Sequence, residues 1–251
     1  MDKKQMATVM SPFAHVREAM MQKQYSVFIN AGALVVLPAQ MSIQEKQDVQ
    51  HSLLFAQLAA TKRYPLTSEY GEWYSIWQQV LKDTWLQQSV TWDKFTPQPG
   101  ASVAPVDCLV EQLGNGLQSH EVAECSAILQ YIAGLPPTDP VVGFLRERVQ
   151  RRKEPGDEEV AAIDQFHFLV VVAQPGLRLN AAYLMLSASA GDTGNPFARV
   201  FNADNVAGVI EQRFFQADLV TALHKPVRAA LGKRLEPFAE LIREVPEAVA
   251  L

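Results

Sequence analysis

Apolar and polar positions along the chain change from a strand-like to a helix-like period and back. Residues 25–38 are almost continuously apolar and rich in β-branched and aromatic side chains, which predicts a buried strand. Gly32 indicates a bend or bulge within it. From Ser42 to about Tyr64, apolar residues recur at helical spacing, and Ser42 with Glu45 matches a capping box. This second segment is the clearest predicted helix.

Further helices are predicted on both sides of it. A tryptophan-rich helix is expected to begin at Thr67 or Ser68 and to run to about Gln88, with a wide apolar stripe. Proline, glycine and serine in residues 95–105 predict an exposed connection. Shorter helices are expected at 13–22, 106–113, 119–133 (capped by Ser119) and 140–153.

The pattern then returns to a strand period. Residues 166–173 and 177–186 predict a β-hairpin closed on Pro175-Gly176, and residues 199–201 a short strand. The tail is predicted to be helical, with Phe214, Phe215, Leu219 and Leu223 on its apolar face and breaks at Pro226 and Pro237.

These elements together predict a mixed α/β (α+β) fold. We expect a single compact domain over residues 12–251, after a flexible N-terminus at 1–11, with a small, mostly antiparallel sheet covered by amphipathic helices. The alternative is two halves, 12–153 and 160–251. A switch from basic to acidic residues between 148 and 159 would form a charged hinge between them.

Composition and charge exclude several classes of protein. With 48% apolar residues in 251, the chain can bury a large core. A net charge of −5 with interleaved signs argues against a nucleic-acid partner. Two cysteines are too few for a disulfide framework. Because neither a signal peptide nor a membrane-spanning run is evident, we expect a protein that is cytoplasmic as synthesised.

Each candidate catalytic or metal-binding motif lacks a residue that its chemistry requires. His120 and Glu124 share a helical face, but zinc hydrolases of the helical class need a second histidine there. The triplet 192–194, Asp-Thr-Gly, occurs once, whereas the aspartic-protease dyad needs two carboxylates. Cys108 and Cys125 have no aligned base and are expected to be buried thiols. No phosphate-binding loop is present. We therefore expect no catalytic residues, metal or cofactor, and an enzyme of unknown class is the alternative.

A group of aromatic residues is the main candidate for a binding site. Tryptophan and tyrosine favour places where one end of the side chain is apolar and the other is wet. Packing of a helix on a sheet uses the same residues, and this is the simpler account. If a ligand or lipid site exists, we expect it between the tryptophan helix and the hairpin, at Trp73, Tyr74, Trp77, Trp85, Phe166, Phe168 and Tyr183.

Three segments, taken in order, resemble a known family. They are residues 52–60, the tryptophan helix with the helix at 106–113, and the hairpin at 166–186. Their order is similar to that of the Erwinia virulence factor family. This resemblance implies an α/β fold without an active site that acts at a host membrane. The family's acylated cysteine lies in its later, β-rich half, where this chain has none, so acylation is not carried over.

The expected function is therefore that of a non-enzymatic bacterial virulence or host-interaction protein. Its expected partner is a lipid or membrane surface or another protein, and export by a signal-independent route would bring it to a host. One alternative is a binding module for a small hydrophobic ligand. The other is a pore-forming toxin that inserts the hairpin region at 166–186.

Overall fold

The computed structural model describes residues 25–65, 70–153, 162–191 and 194–246. The strands are β1 (Tyr25–Asn30), β2 (Ala33–Pro38), β3 (Trp85–Phe95), β4 (Ser102–Val103), β5 (Gln150–Lys153), β6 (Ile163–Gln174), β7 (Arg178–Ser189), β8 (Phe201–Asn202), β9 (Ile210–Leu219) and β10 (Ile242–Glu244). The helices are α1 (Ile43–Arg63), α2 (Tyr70–Leu81), α3 (Pro105–Leu113), α4 (Ser119–Gly134), α5 (Pro140–Val149), α6 (Thr221–His224) and α7 (Arg228–Leu235). The fold is thus mixed α+β, as predicted.

One large sheet organises these elements. Its strand order is β10-β1-β2-β6-β7-β9-β3, with β5 also pairing with β6, and β4 and β8 form a separate two-stranded sheet. Among the described strands, all pairings are antiparallel except that of β2 with β6. The sheet is therefore mostly antiparallel, as predicted, but with eight strands it is larger than expected. Strands from both predicted halves of the chain contribute to it, and the domain division itself stays a prediction.

Helices cover both faces of the sheet. Along β7, Ala182 and Leu184 point to a core shared with α3, α4 and α5, whereas Ala181 and Tyr183 point to a core shared with α1 and α2. This alternation follows from the two-residue period of a strand. The two sides are called here the α3 face and the α1 face. Because both faces are buried, the central strands are apolar at nearly every position.

The predicted single strand at 25–38 is in fact a hairpin. The chain turns at Ala31 and Gly32, and β1 pairs antiparallel with β2 from Asn30 opposite Ala33 onward. Ala31 takes a positive φ of 55° in this turn. All six residues of β2 are buried. The run therefore shows no alternation that would mark where the strand reverses, and Gly32 was its one signal.

The tryptophan helix ends earlier than predicted. It stops at Leu81, a turn spans residues 82–84, and Trp85 begins strand β3. Trp85 still packs with Trp77 in the α1-face core, so burial continues although the backbone conformation has changed. The helix predicted up to Gln88 was wrong because burial alone does not distinguish a helix from a strand.

The tail prediction was wrong for its first part. Phe214 and Phe215 lie in β9, which pairs with β7 and β3, rather than on a helix. The tail becomes helical only from Thr221, in α6 and α7 and a 3-10 helix at Glu236–Leu241, before β10 closes the sheet edge. Pro226 lies in the turn between α6 and α7, where it ends the first helix.

The remaining predictions concern the hairpin, the helix caps and the shorter helices and strands. The hairpin is confirmed and is longer than expected, with a turn at 175–177 where Gly176 has φ 86°. The capping box at Ser42 is confirmed. The α3 and α4 helices are confirmed, although the α4 cap is Gln118 rather than Ser119. The helix predicted at 140–153 ends at Val149 and continues as β5. The strand expected at 199–201 is Phe201–Asn202. The predicted helix at 13–22 and the acidic half of the hinge lie outside the described residues.

Candidate functional site

The seven aromatic residues proposed from the sequence are buried and do not share one pocket. Five lie in the α1-face core, where the tilted rings of Tyr74 and Tyr183 are in contact, with centroids 4.6 Å apart. Phe166 and Phe168 lie in the α3-face core, on the other side of the sheet. All seven are at most 2% exposed. They pack a helix and a sheet together, which is the simpler account given above. The members on the α1 face are Trp73, Tyr74, Trp77, Trp85 and Tyr183.

The other residues singled out from the sequence also occupy structural positions. His120 lies on the surface of α4, and Glu124 accepts a hydrogen bond from the Tyr25 hydroxyl. Burial raises the pKa of the Cys125 thiol to about 12 and also raises that of the half-buried Cys108. Within the described ranges, no group of three His, Cys, Asp or Glu residues is placed to hold a metal ion. Asp192 and Thr193 lie outside those ranges.

His167 is buried on the α1 face of β6. Its imidazole lies against the Trp73 indole, with ring centroids 5.7 Å apart. Burial lowers its pKa from 6.5 to about 4, because a charged ring would lose its hydration in this core. At neutral pH it is an uncharged packing residue.

A cleft opens on the outer side of α1, between this helix, the end of α2 and the two tail helices. It has a volume of about 550 Å³ and is called here the α1–α7 cleft. This volume is within the range of pockets that hold small molecules. Its walls are mainly apolar: Phe55, Val80, Leu81, Leu223, Val227, Ala230 and Leu231. Its polar lining is Ser52, Asp83, Thr84, His224 and Arg234.

A buried ion pair fixes the tail helices to α1. Arg228 Nε and Nη2 donate to the two carboxylate oxygens of Asp48 at 2.8 and 2.6 Å. Gln44 donates to the same carboxylate at 3.0 Å. The Asp48 side chain is 1% exposed, so it relies on these donors in place of water. This pairing holds the start of α7, and with it one wall of the cleft.

Two residues of the inner wall of the cleft carry buried polar atoms that have no hydrogen-bond partner among the described residues. Ser52, Leu81 and His224 are the most buried of the lining residues, at 6%, 2% and 1% exposure. Ser52 Oγ and both His224 ring nitrogens lack a hydrogen bond within the described part of the chain. His224 Nε2 lies 3.4 Å from Asp48 Oδ1, close enough for attraction between the two groups but outside hydrogen-bond geometry. Buried polar groups without partners are rare in folded proteins and need an explanation.

Asp48, His224 and Ser52 are the residue types of a nucleophilic triad, but their geometry differs from one. The Ser52 hydroxyl makes no hydrogen bond to the imidazole, and Arg228 already binds both carboxylate oxygens that would orient it. The expectation that the protein is not an enzyme stays a prediction.

The mouth of the cleft exposes apolar surface. Leu223, on α6, is 55% exposed, and Val227, in the turn before α7, is 46% exposed. The exposed Arg234 guanidinium lies over the Phe55 ring, 5.9 Å from its centroid. A ligand entering the cleft would therefore cover apolar side chains as it displaces water.

The sequence contained one unused signal for this site. Asp48 and Ser52 are four residues apart, so they share the buried side of α1 with Val49 and Leu53. Two polar residues on the apolar face of a helix point to a partner from elsewhere in the fold. That partner, Arg228, is 180 residues away from Asp48, and no local pattern connects them.

Comparison with known proteins yields weak structural likenesses only. No protein-family model and no curated protein sequence matches the chain. Among solved structures it is similar to a delta-endotoxin, at 10% identity over 76% of this chain and 81% of that one, with a TM-score of 0.43. It is also similar to the Evf virulence factor, at 8% identity over 90% of this chain and 86% of that one, with a TM-score of 0.36. Alignments this weak carry no inference about activity. The family resemblance drawn from the sequence is thus matched only at the level of a distant structural neighbour.

In the described ranges, no helix has both the length and the apolar character needed to cross a bilayer.

Proposed function

We propose that this protein is a binding protein for a small apolar molecule, which it holds in the α1–α7 cleft. The observation that supports this is a cleft of about 550 Å³ with apolar walls and, at its inner end, buried polar atoms that lack partners. Such a combination is typical of ligand sites, where apolar contact provides affinity and a few polar groups provide orientation.

This proposal is the hydrophobic-ligand alternative from the sequence, moved to a different place. Five of the aromatic residues expected to form the site pack the α1-face core beneath the cleft, and Phe166 and Phe168 lie on the other side of the sheet. The tryptophan helix reaches the cleft only at its end, through Val80 and Leu81. A role in virulence or host interaction is the setting we expect for such a protein, and it rests on the sequence resemblance described above.

The two other candidate functions have less support. A pore formed by the 166–186 hairpin would require β6 and β7 to leave the middle of the sheet, where each is paired on both sides and buried on both faces. Association with a lipid surface would favour one broad apolar patch. The large exposed apolar residues are instead distributed over several elements: Ile43, Leu86, Val90, Trp92, Val200, Val209, Leu223, Val227 and Phe238.

The proposal is tested by calorimetric titration and thermal unfolding with three probes that carry a ten-carbon chain: 1-decanol, decyl methyl ether and decanoate. We expect at least one probe to bind with a stoichiometry of one. A ligand at a hundred times its Kd stabilises the fold by about 2.7 kcal/mol, which raises the Tm measurably. If none of the three probes binds, the proposal is wrong.

Two neighbouring alanines on α7 provide a matched pair of variants. Ala230 lines the cleft and Ala229 does not, although both are exposed. Ala230→Trp should fill the cleft and abolish binding, whereas Ala229→Trp should bind the probes like the unchanged protein. Equal binding by the two variants would place the ligand elsewhere and refute the proposal.

A further inference from the structure

The chemistry at the inner end of the cleft restricts which ligand would fit there. Ser52 and His224 both line the most buried part of the cleft, and neither has a hydrogen-bond partner among the described residues. Each such group loses its hydration without compensation unless something in the cleft binds it. The inference rests on the proposed function and asks what polar group the ligand must carry.

The contact between His224 and Asp48 sets the hydrogen-bonding character of the imidazole. Its Nε2 faces the Asp48 carboxylate at 3.4 Å, so in the neutral ring this nitrogen carries the proton. The other nitrogen, Nδ1, is then an acceptor. A ligand must therefore offer Nδ1 a donor, while Ser52 can either donate or accept.

The charges around this end favour a ligand that is itself neutral. The Asp48 carboxylate is already matched by the Arg228 guanidinium. His51, which stands beside Asp48 on α1, has a pKa lowered by burial and is uncharged at neutral pH. The remaining charged residues of the lining, Asp83 and Arg234, are exposed at the outer part of the cleft. An anionic head group would meet no unpaired cation at the inner end and would face an acceptor nitrogen.

We infer that the α1–α7 cleft selects a neutral amphiphile with a hydroxyl group, such as a long-chain alcohol. The ligand hydroxyl donates to His224 Nδ1 and accepts from the Ser52 hydroxyl, so one group satisfies both buried atoms. Its hydrocarbon chain runs outward between Phe55, Leu231 and Val227. An ether or a hydrocarbon can pack against the apolar walls but has no hydrogen-bond donor for His224 Nδ1. A carboxylate offers Nδ1 only acceptor oxygens.

The probes named above distinguish these cases. We expect 1-decanol to bind about tenfold more tightly than decyl methyl ether, since the ether has no donor for Nδ1 and one lost hydrogen bond has an effect of this order. Decanoate at pH 7 should bind more weakly than the alcohol. If the ether or decanoate binds as tightly as decanol, the inference is overturned while the proposed function stands. If no probe binds, the proposed function itself fails.

A pair of serine variants gives a second test within the same protein. Ser52→Ala should weaken decanol binding about fivefold, because it removes the donor to the ligand oxygen. The ether oxygen loses the same donor, so the ratio of decanol to ether affinity should stay near tenfold in this variant. Ser75→Ala, on the exposed side of α2, is the control and should change neither affinity. Since Ser52 Oγ makes no hydrogen bond in the described structure, the variant is expected to fold normally. Unchanged decanol affinity in Ser52→Ala would contradict the assignment.

Discussion

The attachment of the tail helices to α1 should depend strongly on one arginine. Two of the bidentate Arg–Asp pairs among the described residues differ in burial. Arg228 binds Asp48, whose side chain is 1% exposed, whereas Arg178 binds Asp218, where the two side chains are 46% and 32% exposed. The geometry is similar, with donor–acceptor distances of 2.6–2.8 Å in the first pair and 2.6–3.0 Å in the second.

Replacing each arginine by methionine removes the charge and keeps most of the apolar stem. In Arg228→Met the Asp48 carboxylate stays buried without its cation, which typically costs about 3–5 kcal/mol of unfolding free energy. In Arg178→Met the carboxylate is hydrated instead, and an exposed pair contributes about 0–1 kcal/mol. For a chain of this size, about 2–4 °C of Tm corresponds to each kcal/mol. We therefore expect Arg228→Met to lower the Tm by roughly 6–20 °C and Arg178→Met by at most about 4 °C.

Calorimetric unfolding of both variants at pH 7, with urea titration for the free energies, measures the difference directly. Arg228→Met should also weaken binding of 1-decanol, since the start of α7 forms one wall of the cleft. Equal losses of stability in the two variants would refute the reasoning, because the Asp48 carboxylate would then have reached water and the cleft would not have the buried inner wall described above.

Three further predictions concern the core. Burial holds the pKa of His167 at about 4 in the folded protein, against about 6.5 in the unfolded chain. The free energy of unfolding should therefore decrease by about 3 kcal/mol as the pH is lowered from above 6.5 toward 4, because only the unfolded chain takes up the proton in this range. In urea titrations, His167→Gln should reduce this pH dependence, and substitution of the exposed histidine, His120→Gln, should not. Burial also raises the pKa of both thiols, so a disulfide reagent at pH 8 should modify Cys125 only after unfolding, and rapid labelling of the native protein would contradict its burial. Gly116→Ala should lower the free energy of unfolding by about 1–3 kcal/mol, because a Cβ at this position overlaps Asn180 and Phe214. At Gly134 a Cβ meets no atom within 4 Å, so Gly134→Ala should be neutral or stabilising. Similar unfolding midpoints for the two variants would contradict this packing.

Local sequence was sufficient to predict the structure where a short segment contains its own stabilising contacts. Ser42 and Glu45 satisfy each other's backbone groups, so the start of α1 is readable from four residues. The hairpin of β6 and β7 was readable because its turn, with Gly176 at positive φ, lies between two long apolar runs.

Local sequence was insufficient where partner strands decide the conformation. Trp85 continues the apolar spacing of α2, and only its pairing opposite Leu219 of β9 makes it a strand residue. Phe214 and Phe215 are adjacent and both buried, which a sheet covered on both faces allows and a one-sided helix does not. The candidate site could not be predicted from local sequence for the same reason. Asp48 and Ser52 lie on α1, whereas His224 and Arg228 belong to the C-terminal tail and come close to α1 only in the folded chain.

The most direct test of the ligand site is a crystal structure of the protein with 10-bromo-1-decanol. The bromine's anomalous signal locates one end of the molecule and the electron density locates the other. The account predicts one molecule in the α1–α7 cleft, with its hydroxyl within hydrogen-bond distance of Ser52 Oγ and His224 Nδ1 and its bromine near Leu223 and Val227. A bromine peak elsewhere on the protein, with the cleft empty at saturating ligand, would contradict it.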